Sequence, residues 1–214
     1  MAIGHVATDE VKRTMKLEYV KTRSDPMSRS LEGFQMLLSH LAKPKPQLRI
    51  LLQESANLIQ KQHSLRWVAI GMRNPSDRLF RFEVNSGVRP EAWSVFKQKV
   101  YRDESFGLST DDYKSEAISR LTRLYLEEEN PLDKADLQAL NRPALFHSTR
   151  RASDDSLEAD YVDTHIRGPD DELLGWIEYS GTFMGKLPDS TTIRCIEVIS
   201  SILGLAMSSH NRQL

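Results

Sequence analysis

The chain is poor in the residues that most often announce a chemistry. It has one cysteine, Cys195, in 214 residues. A lone thiol closes no internal disulfide, so a reducing compartment is the default and reductases built on several cysteines are excluded. Charge of one sign is also missing: 29 Lys and Arg against 30 Asp and Glu leave a net charge of -1. That balance argues against nucleic acid or an acidic membrane as partner. No apolar run approaches the ~20 residues of a membrane helix, and "MAIGHVATDEVKRTMK" lacks the apolar core of a secretory leader. These absences predict a soluble, cytoplasmic protein, although a fragment cut from a membrane-tethered parent reads the same way. There is no internal repeat and no low-complexity tract.

Metal and cofactor motifs are equally scarce. None of the six histidines, His5, His40, His63, His147, His165 and His210, forms an HxH or HxxxH pair, so no zinc site is expected. His147 reads as a hydrogen-bonded loop or strand residue. "SGTFMGKL" departs from a phosphate-binding loop, with Ser180 where the first glycine belongs and Leu187 where the hydroxyl belongs. Cys195 lies within a helix pattern, away from an activating base. "RRAS" at 150–153 and the acid pairs Asp154-Asp155 and Asp170-Asp171 read as solvated loop and turn. The expectation is no cofactor, no catalytic residue, no metal and no enzyme.

What is present is a normal apolar supply, 39% of the chain, with clear periodicities. Residues 1–46 form a polar lead-in with two helix patterns separated at Ser24-Asp25-Pro26; Pro44 and Pro46 end it. In "PQLRILLQESANLIQKQH", Leu48, Leu51, Leu52, Ser55, Leu58 and Ile59 share a helical face. "RWVAIGMRNP" and "LFRFEVNSG" alternate as two strands around a turn at 74–78, with Phe80, Phe82 and Val84 set on one side. "RPEAWSVFKQKVYRDE" and "KSEAISRLTRLYLEEE" are predicted helices, followed by a short helix in "PLDKADLQAL" and a short strand in "RPALFHS". "DYVDTHIRGPDDELLGWIEYSG" is a second hairpin, Tyr161, Asp163 and His165 alternating with Val162, Thr164 and Ile166. A glycine inside its second strand, Gly175, implies a bulky close neighbour, expected to be a crossing helix. Asp189 or Ser190 caps a final helix with an apolar stripe through Ile193, Ile196, Ile199, Leu203 and Ala206. Two antiparallel hairpins around a helical middle make the class α+β, with the first and last helices of the main domain on one sheet face.

In this order the elements resemble a GAF domain. The resemblance is carried by "LLQESANLI", by "WVAIGMRNPSDRLFRFEVNSG", and by "LLGWIEYSG" followed by "LPDSTTIRCIEVISSILGLAMS", over roughly residues 47–209. Leu174-Gly175-Trp176-Ile177, Asp189 and the final helix match the family's closing frame. The resemblance implies a GAF-like (profilin-like, PAS-like) central antiparallel sheet of about six strands. Terminal helices would lie on one face and pair with a second copy in a homodimer, while middle helices and loops build a small-molecule pocket on the other. Division at 46/47 separates an N-terminal helical extension from this sensory domain. Such domains bind a small-molecule ligand and feed a signalling output protein; a degenerate member serves only as a dimerisation scaffold.

The aromatic residues gather in the middle, interleaved with arginines. An apolar lining with a few charged donors suits a small anionic or aromatic ligand. Trp93, Tyr101, Phe106, Arg123, Tyr125, Phe146 and Arg150 are the expected ligand-binding residues. The alternative is ordinary core with surface arginines, and at this level both readings stand.

Overall fold

The computed structural model of the chain describes residues 8–22, 25–44, 46–106, 114–131 and 149–211. Six strands form one sheet: β1 (Val68–Arg73), β2 (Phe80–Ser86), β3 (Glu116–Ala117), β4 (Thr122–Tyr125), β5 (Tyr161–Arg167) and β6 (Leu173–Ser180). Their order is β2-β1-β6-β5-β4-β3, every neighbouring pair antiparallel. The two hairpins read from the sequence therefore meet at the centre, where β1 pairs with β6.

Three helices cover one face: α2 (Pro26–Leu41), α3 (Leu48–Gln62) and the last helix, here α5 (Ser190–Asn211). Each has a physical start. Asp25 accepts from the Ser28 amide at 3.0 Å with Pro26 in the first turn of α2. Asp189 does the same for Thr192 at 2.7 Å, so of the two expected caps it is Asp189 that acts. The apolar stripe of α3 buries Leu48, Leu51, Leu52 and Ile59, and that of α5 buries Ile196, Ile199, Leu203 and Ala206. These side chains close on Val68, Ile70, Val162, Ile177 and Tyr179 of the sheet, with Leu37 of α2 added. By length and composition α5, over Ser190–His210, would also suit a membrane, but half of that stretch is buried in this core. The first helix, α1 (Thr8–Lys21), buries no residue.

Two β-bulges decide which residues face the helices. Along β1 and β2 the register passes from Ile70↔Val84 to Gly71↔Phe82, leaving Glu83 as an extra residue. Val84 thus turns to the helical core while Phe80 and Phe82 turn away from it. Simple alternation had set all three together. Between β5 and β6 the register passes from Ile166↔Gly175 to Arg167↔Leu173, and the extra residue, Leu174, joins the helical core. Gly175 sits at this bulge. A Cβ there would lie 2.3 Å from the Gly71 carbonyl oxygen and 3.1 Å from Met72 Cα. The close neighbour is the β1 backbone, not the crossing helix expected from the sequence.

Two expected helices are not formed as read. "KSEAISRLTRLYLEEE" contains β3, a turn and β4. Ser119 Oγ accepts from the Leu121 and Thr122 amides, at 3.0 Å each, and reverses the chain there. Thr122 then meets Thr164 side by side, Oγ1 to Oγ1 at 3.0 Å. A free sheet edge at β5 overrides the helical spacing of Leu121, Leu124 and Tyr125. "RPEAWSVFKQKVYRDE" is helical only over α4 (Pro90–Phe96). Tyr101 returns to the sheet and exchanges two backbone bonds with Phe80, at 2.9 and 3.0 Å, and a 3-10 turn follows over Asp103–Phe106. The expected helix and strand in 132–148, and His147, lie outside the described residues.

Candidate functional site

The sheet face turned away from α2, α3 and α5 carries the polar chemistry. Cross-strand register orders it in rows. One row runs Arg123 on β4, Asp163 on β5, Glu178 on β6 and Ala69 on β1. The next runs His165, Trp176, Gly71 and Phe82. On the other flank Tyr125 faces Tyr161, their rings stacked at 4.4 Å between centroids. Directly opposed side chains on one face lie about 5 Å apart at Cβ, so two carboxyls stand side by side with an arginine at one end and a methyl group at the other.

Gly71 shapes the second row. A Cβ there would lie 2.1 Å from the Trp176 ring, so its absence lets the indole lie across β1. Trp176 is the centre of an aromatic cluster: Phe82 at 4.8 Å, Phe106 at 5.0 Å and Tyr101 at 5.5 Å between ring centroids. Trp93 packs on Phe82 at 6.1 Å from the cluster's edge. The indole Nε1 turns toward the acid row and donates to Glu178 Oε2 at 3.4 Å.

Burial makes the acid row unusual. Asp163 is 7% and His165 4% exposed. Asp163 Oδ1 and His165 Nε2 have no hydrogen-bond partner among the described residues, although buried polar atoms are almost always paired. Burial, with Glu178 alongside, holds the Asp163 carboxyl well above the usual carboxylate range, against the pull of Arg123. Burial also pushes Glu178 up to about 7, opposed by the Trp176 bond and by Lys99. His165 is pushed down to about 4 by burial, with Arg167 and Arg123 adding to it, so the ring is neutral at pH 7. The Tyr125 phenol is raised, first by burial and then by Asp163. Perturbed ionisable groups of this kind concentrate at functional sites.

The residues expected from the sequence divide accordingly. Trp93, Tyr101 and Phe106 come together in the cluster around Trp176. Arg123 and Tyr125 stand on β4 beside the acid row, Arg123 also donating to Ser115 Oγ at 3.1 Å. Phe146 lies outside the described residues. Arg150 has another engagement: it holds both oxygens of fully buried Asp160, at 3.0 and 2.9 Å, together with Glu128 and the Asp155 carbonyl. Asp160 in turn accepts from the Glu127 and Leu157 amides. That guanidinium ties the loop before β5 to the end of β4. Asp163, His165, Trp176 and Glu178 were not singled out from the sequence. The signal for them was there: Asp163 and His165 two apart on one face of β5, and Trp176 and Glu178 two apart on one face of β6, with Thr164 and Ile177 between them.

Among the described residues no cluster of His, Cys, Asp and Glu could hold a metal ion. Cys195 is buried in α5. Two grooves open on the helical side. One, of about 400 Å³, lies between α2 and α3 and is lined by Arg29, Met36, Glu54, Leu58 and Lys61. The other, of about 240 Å³, lies where α2 and α5 begin, beside His63 and Asp189. There the helix N-termini already have the Asp25 and Asp189 carboxylates on them.

No known family model and no curated protein matches the chain in sequence. Solved structures do match its fold. The GAF domain/HD domain protein of Geobacter sulfurreducens aligns with a TM-score of 0.55 at 13% identity, over 78% of this chain and 95% of that one. The nlh2 GAF domain of A. aeolicus aligns with a TM-score of 0.54 at 12% identity, over 86% and 99% of the two chains. Free methionine-R-sulfoxide reductase from Neisseria meningitidis, in complex with its substrate, aligns with a TM-score of 0.56 at 11% identity, over 89% and 95%. With a six-stranded antiparallel sheet in the order described and helices from both ends of the main domain on one face, the chain has the fold of a GAF domain.

Proposed function

We propose that this chain is a cytoplasmic sensory or regulatory module, without catalysis of its own, that binds a small molecule on the face built by Arg123, Asp163, His165, Trp176 and Glu178. The observation that supports it is the pair of buried polar atoms without a partner among the described residues, Asp163 Oδ1 and His165 Nε2, set beside an aromatic wall. A core built only for stability avoids such groups; a binding face keeps them for an incoming partner. Trp93, Tyr101, Phe106 and Tyr125 flank the face, and Phe146 and Arg150 remain proposed contributors on sequence grounds. The test is a thermal-stability screen against nucleotides, amino acids, aromatic acids and amines. A ligand at ~100 times its dissociation constant adds about 2.7 kcal/mol. A flat response across the panel sinks the reading.

Signalling further requires that ligand affinity differ between two arrangements of the helices. We place a homodimer contact on the terminal helices, where Val198 and Leu205 of α5 and Ile50 of α3 are 44%, 53% and 41% exposed. Leu205→Glu should convert a dimer to a monomer by light scattering while leaving the fold intact; an unchanged mass removes the helix-pairing idea. Leu51 and Leu203, both 0% exposed, are unsuitable probes because a charge there disrupts the monomer itself. A scaffold without ligand is the second reading. It is favoured by the close packing around Trp176, which is 1% exposed.

A further inference from the structure

We propose that the ligand of this face carries a cationic nitrogen, a primary ammonium or an amidinium group on a small apolar or aromatic frame, seated between the Asp163 and Glu178 carboxyls. The inference rests on the binding reading above and gives the ligand its charge. Three features of the face carry it.

The first is the register. Asp163 opposes Glu178 directly across β5 and β6, and Ala69, next in the row, puts only a methyl group beside Glu178. A small group thus has two carboxyls within reach at once.

The second is the charge around them. Arg123 faces the pair from β4 but also donates to Ser115. Lys99, after α4, holds its ammonium 6.0 Å from the Phe96 ring. Arg167, at the end of β5, bonds the Asp171 carbonyl at 2.7 Å. His165 is neutral, and so is Tyr125, whose phenol is raised. Among the described residues no ion pair includes either carboxyl; the cations acting on them are Arg123 on Asp163 and Lys99 on Glu178. Once the proton that burial keeps on the pair is lost, two ionised acids face one arginine across the strands, and a monocation cancels the excess negative charge that an anion worsens. An uncharged ligand leaves the excess as it is.

The third is the independent sign of an empty acceptor. Among the described residues Asp163 Oδ1 is buried and without a donor, and His165 Nε2, two residues on, is buried and without a partner. Trp176 Nε1 fixes one oxygen of Glu178 from the aromatic side, which leaves the second row's rings to flank the frame of the ligand. Cations gain further from nearby aromatic faces.

Without ligand the pair keeps a proton, because burial raises both carboxyls. A bound ammonium replaces that proton, which passes to the buffer, so binding of the cation and loss of the proton are one exchange. Simple amines remain protonated throughout pH 6 to 8, their ordinary value being near 10.4, so any pH dependence in that range belongs to the protein.

The full chain is titrated calorimetrically with tryptamine and phenethylamine. Indole-3-acetate, phenylacetate and the neutral indole-3-acetamide are the matched controls. At least one amine should bind ten-fold or more tightly than its matched acid or amide and more tightly at pH 8 than at pH 6. Its heat should depend on the buffer's ionisation enthalpy, as proton release requires. Glu178→Gln, which keeps the shape, and Asp163→Asn should each weaken that amine at least ten-fold with an unchanged circular dichroism spectrum. If acids or neutral compounds bind and amines do not, the cationic ligand is overturned while the binding face stands. Amine binding that persists in both variants places the amine elsewhere and also overturns it. If no compound of any charge binds here or in the broader screen, the binding reading falls and this inference with it.

Discussion

The two faces of this one sheet are built to different rules. On the helical face Leu51, Ile59, Ile177, Ile199 and Leu203 are all 0% exposed. Polar groups there are joined in a chain: Thr122 to Thr164 at 3.0 Å, Thr164 to the Tyr179 hydroxyl at 3.2 Å, and Thr122 to Glu197 at 2.9 Å. The described side chains with an unpartnered atom there include Ser55 and Ser208, both uncharged hydroxyls, and Glu54, Gln62 and His63 of α3 and its end, of which Glu54 faces the His40 ring at 2.7 Å. On the opposite face the orphaned atoms belong to an acid and a histidine, and a second acid stands alongside. Burying ionisable groups is costly wherever they lie. On the helical side such groups, Glu54 and His63, sit on α3 and at its end, whereas on the opposite side they sit on the central strands β5 and β6, which suggests that the helical layer supplies stability and the other layer accepts a penalty for a task. Departures of this kind from local consistency are expected where function sits.

The contrast breaks most visibly on the helical side. Leu203→Ala removes a fully buried side chain from α5 where it meets the sheet, and should cost about 3 kcal/mol in denaturant unfolding, within the 2–5 kcal/mol usual for such sites. A loss under about 1 kcal/mol would mean that this layer can collapse and is not the rigid half. Next in size is Gly71→Ala on the opposite face. The added methyl meets the Trp176 ring, which is hemmed in by Phe82, Phe106 and Tyr101. Overpacking of this kind costs about 1–3 kcal/mol, and near-ultraviolet circular dichroism should report the displaced indole. An unchanged spectrum and stability would show that the aromatic cluster yields easily and that the second face is soft.

How far the sequence foretold these faces follows from the physics of each. The stripes of α3 and α5 repeat apolar residues at helical spacing over more than three turns, and that pattern survives any tertiary context. Alternation in β5 likewise placed Asp163 and His165 opposite Val162 and Ile166. Faces failed where an inserted residue resets the alternation, at Glu83 and Leu174; a bulge depends on the partner strand, and one strand's sequence does not contain it. Elements failed where the chain is short of local information. The segment around Thr122 has helical spacing, yet four residues at an open sheet edge gain more from pairing with β5. Of the site, the aromatic part was legible from composition, since rings crowd between Trp93 and Phe106. The acid pair was not, because Asp163 and Glu178 lie 15 positions apart and only the β5–β6 register brings them together. Arg150 was legible as a donor but its partner was not: a guanidinium fits any buried carboxylate, and only the fold brings Asp160 to it.

The pH profile of stability gives the smallest effect and the finest cut between the faces. Glu178 titrates ordinarily at 4.5 and in the fold at about 7, and Asp163 is raised from 3.8. A raised carboxyl makes the native state bind more protons than the unfolded chain. Stability from it is complete below the ordinary value and is lost as pH rises through the folded one, by about 1.4 kcal/mol per pH unit for each proton released. His165 has the opposite sign. Lowered from 6.5 to about 4, it stabilises fully above 6.5 and loses that contribution as pH falls through about 4. Between 4.5 and 6.5 the Glu178 and His165 slopes therefore oppose each other and largely cancel, which leaves the decline due to Asp163. Above 6.5 the histidine contributes nothing more, and stability should fall toward pH 8. His165→Gln should uncover the acid slope, giving a protein whose stability declines more steeply across pH 5 to 6.5 than the parent's. Glu178→Gln should flatten the decline above 6.5 and leave the variant more stable than the parent at pH 8. Chemical denaturation at half-unit pH steps measures all three. A His165→Gln profile no steeper than the parent's would mean that burial does not hold the ring neutral, and a Glu178→Gln profile as steep as the parent's above pH 6.5 would mean that Glu178 is not held protonated.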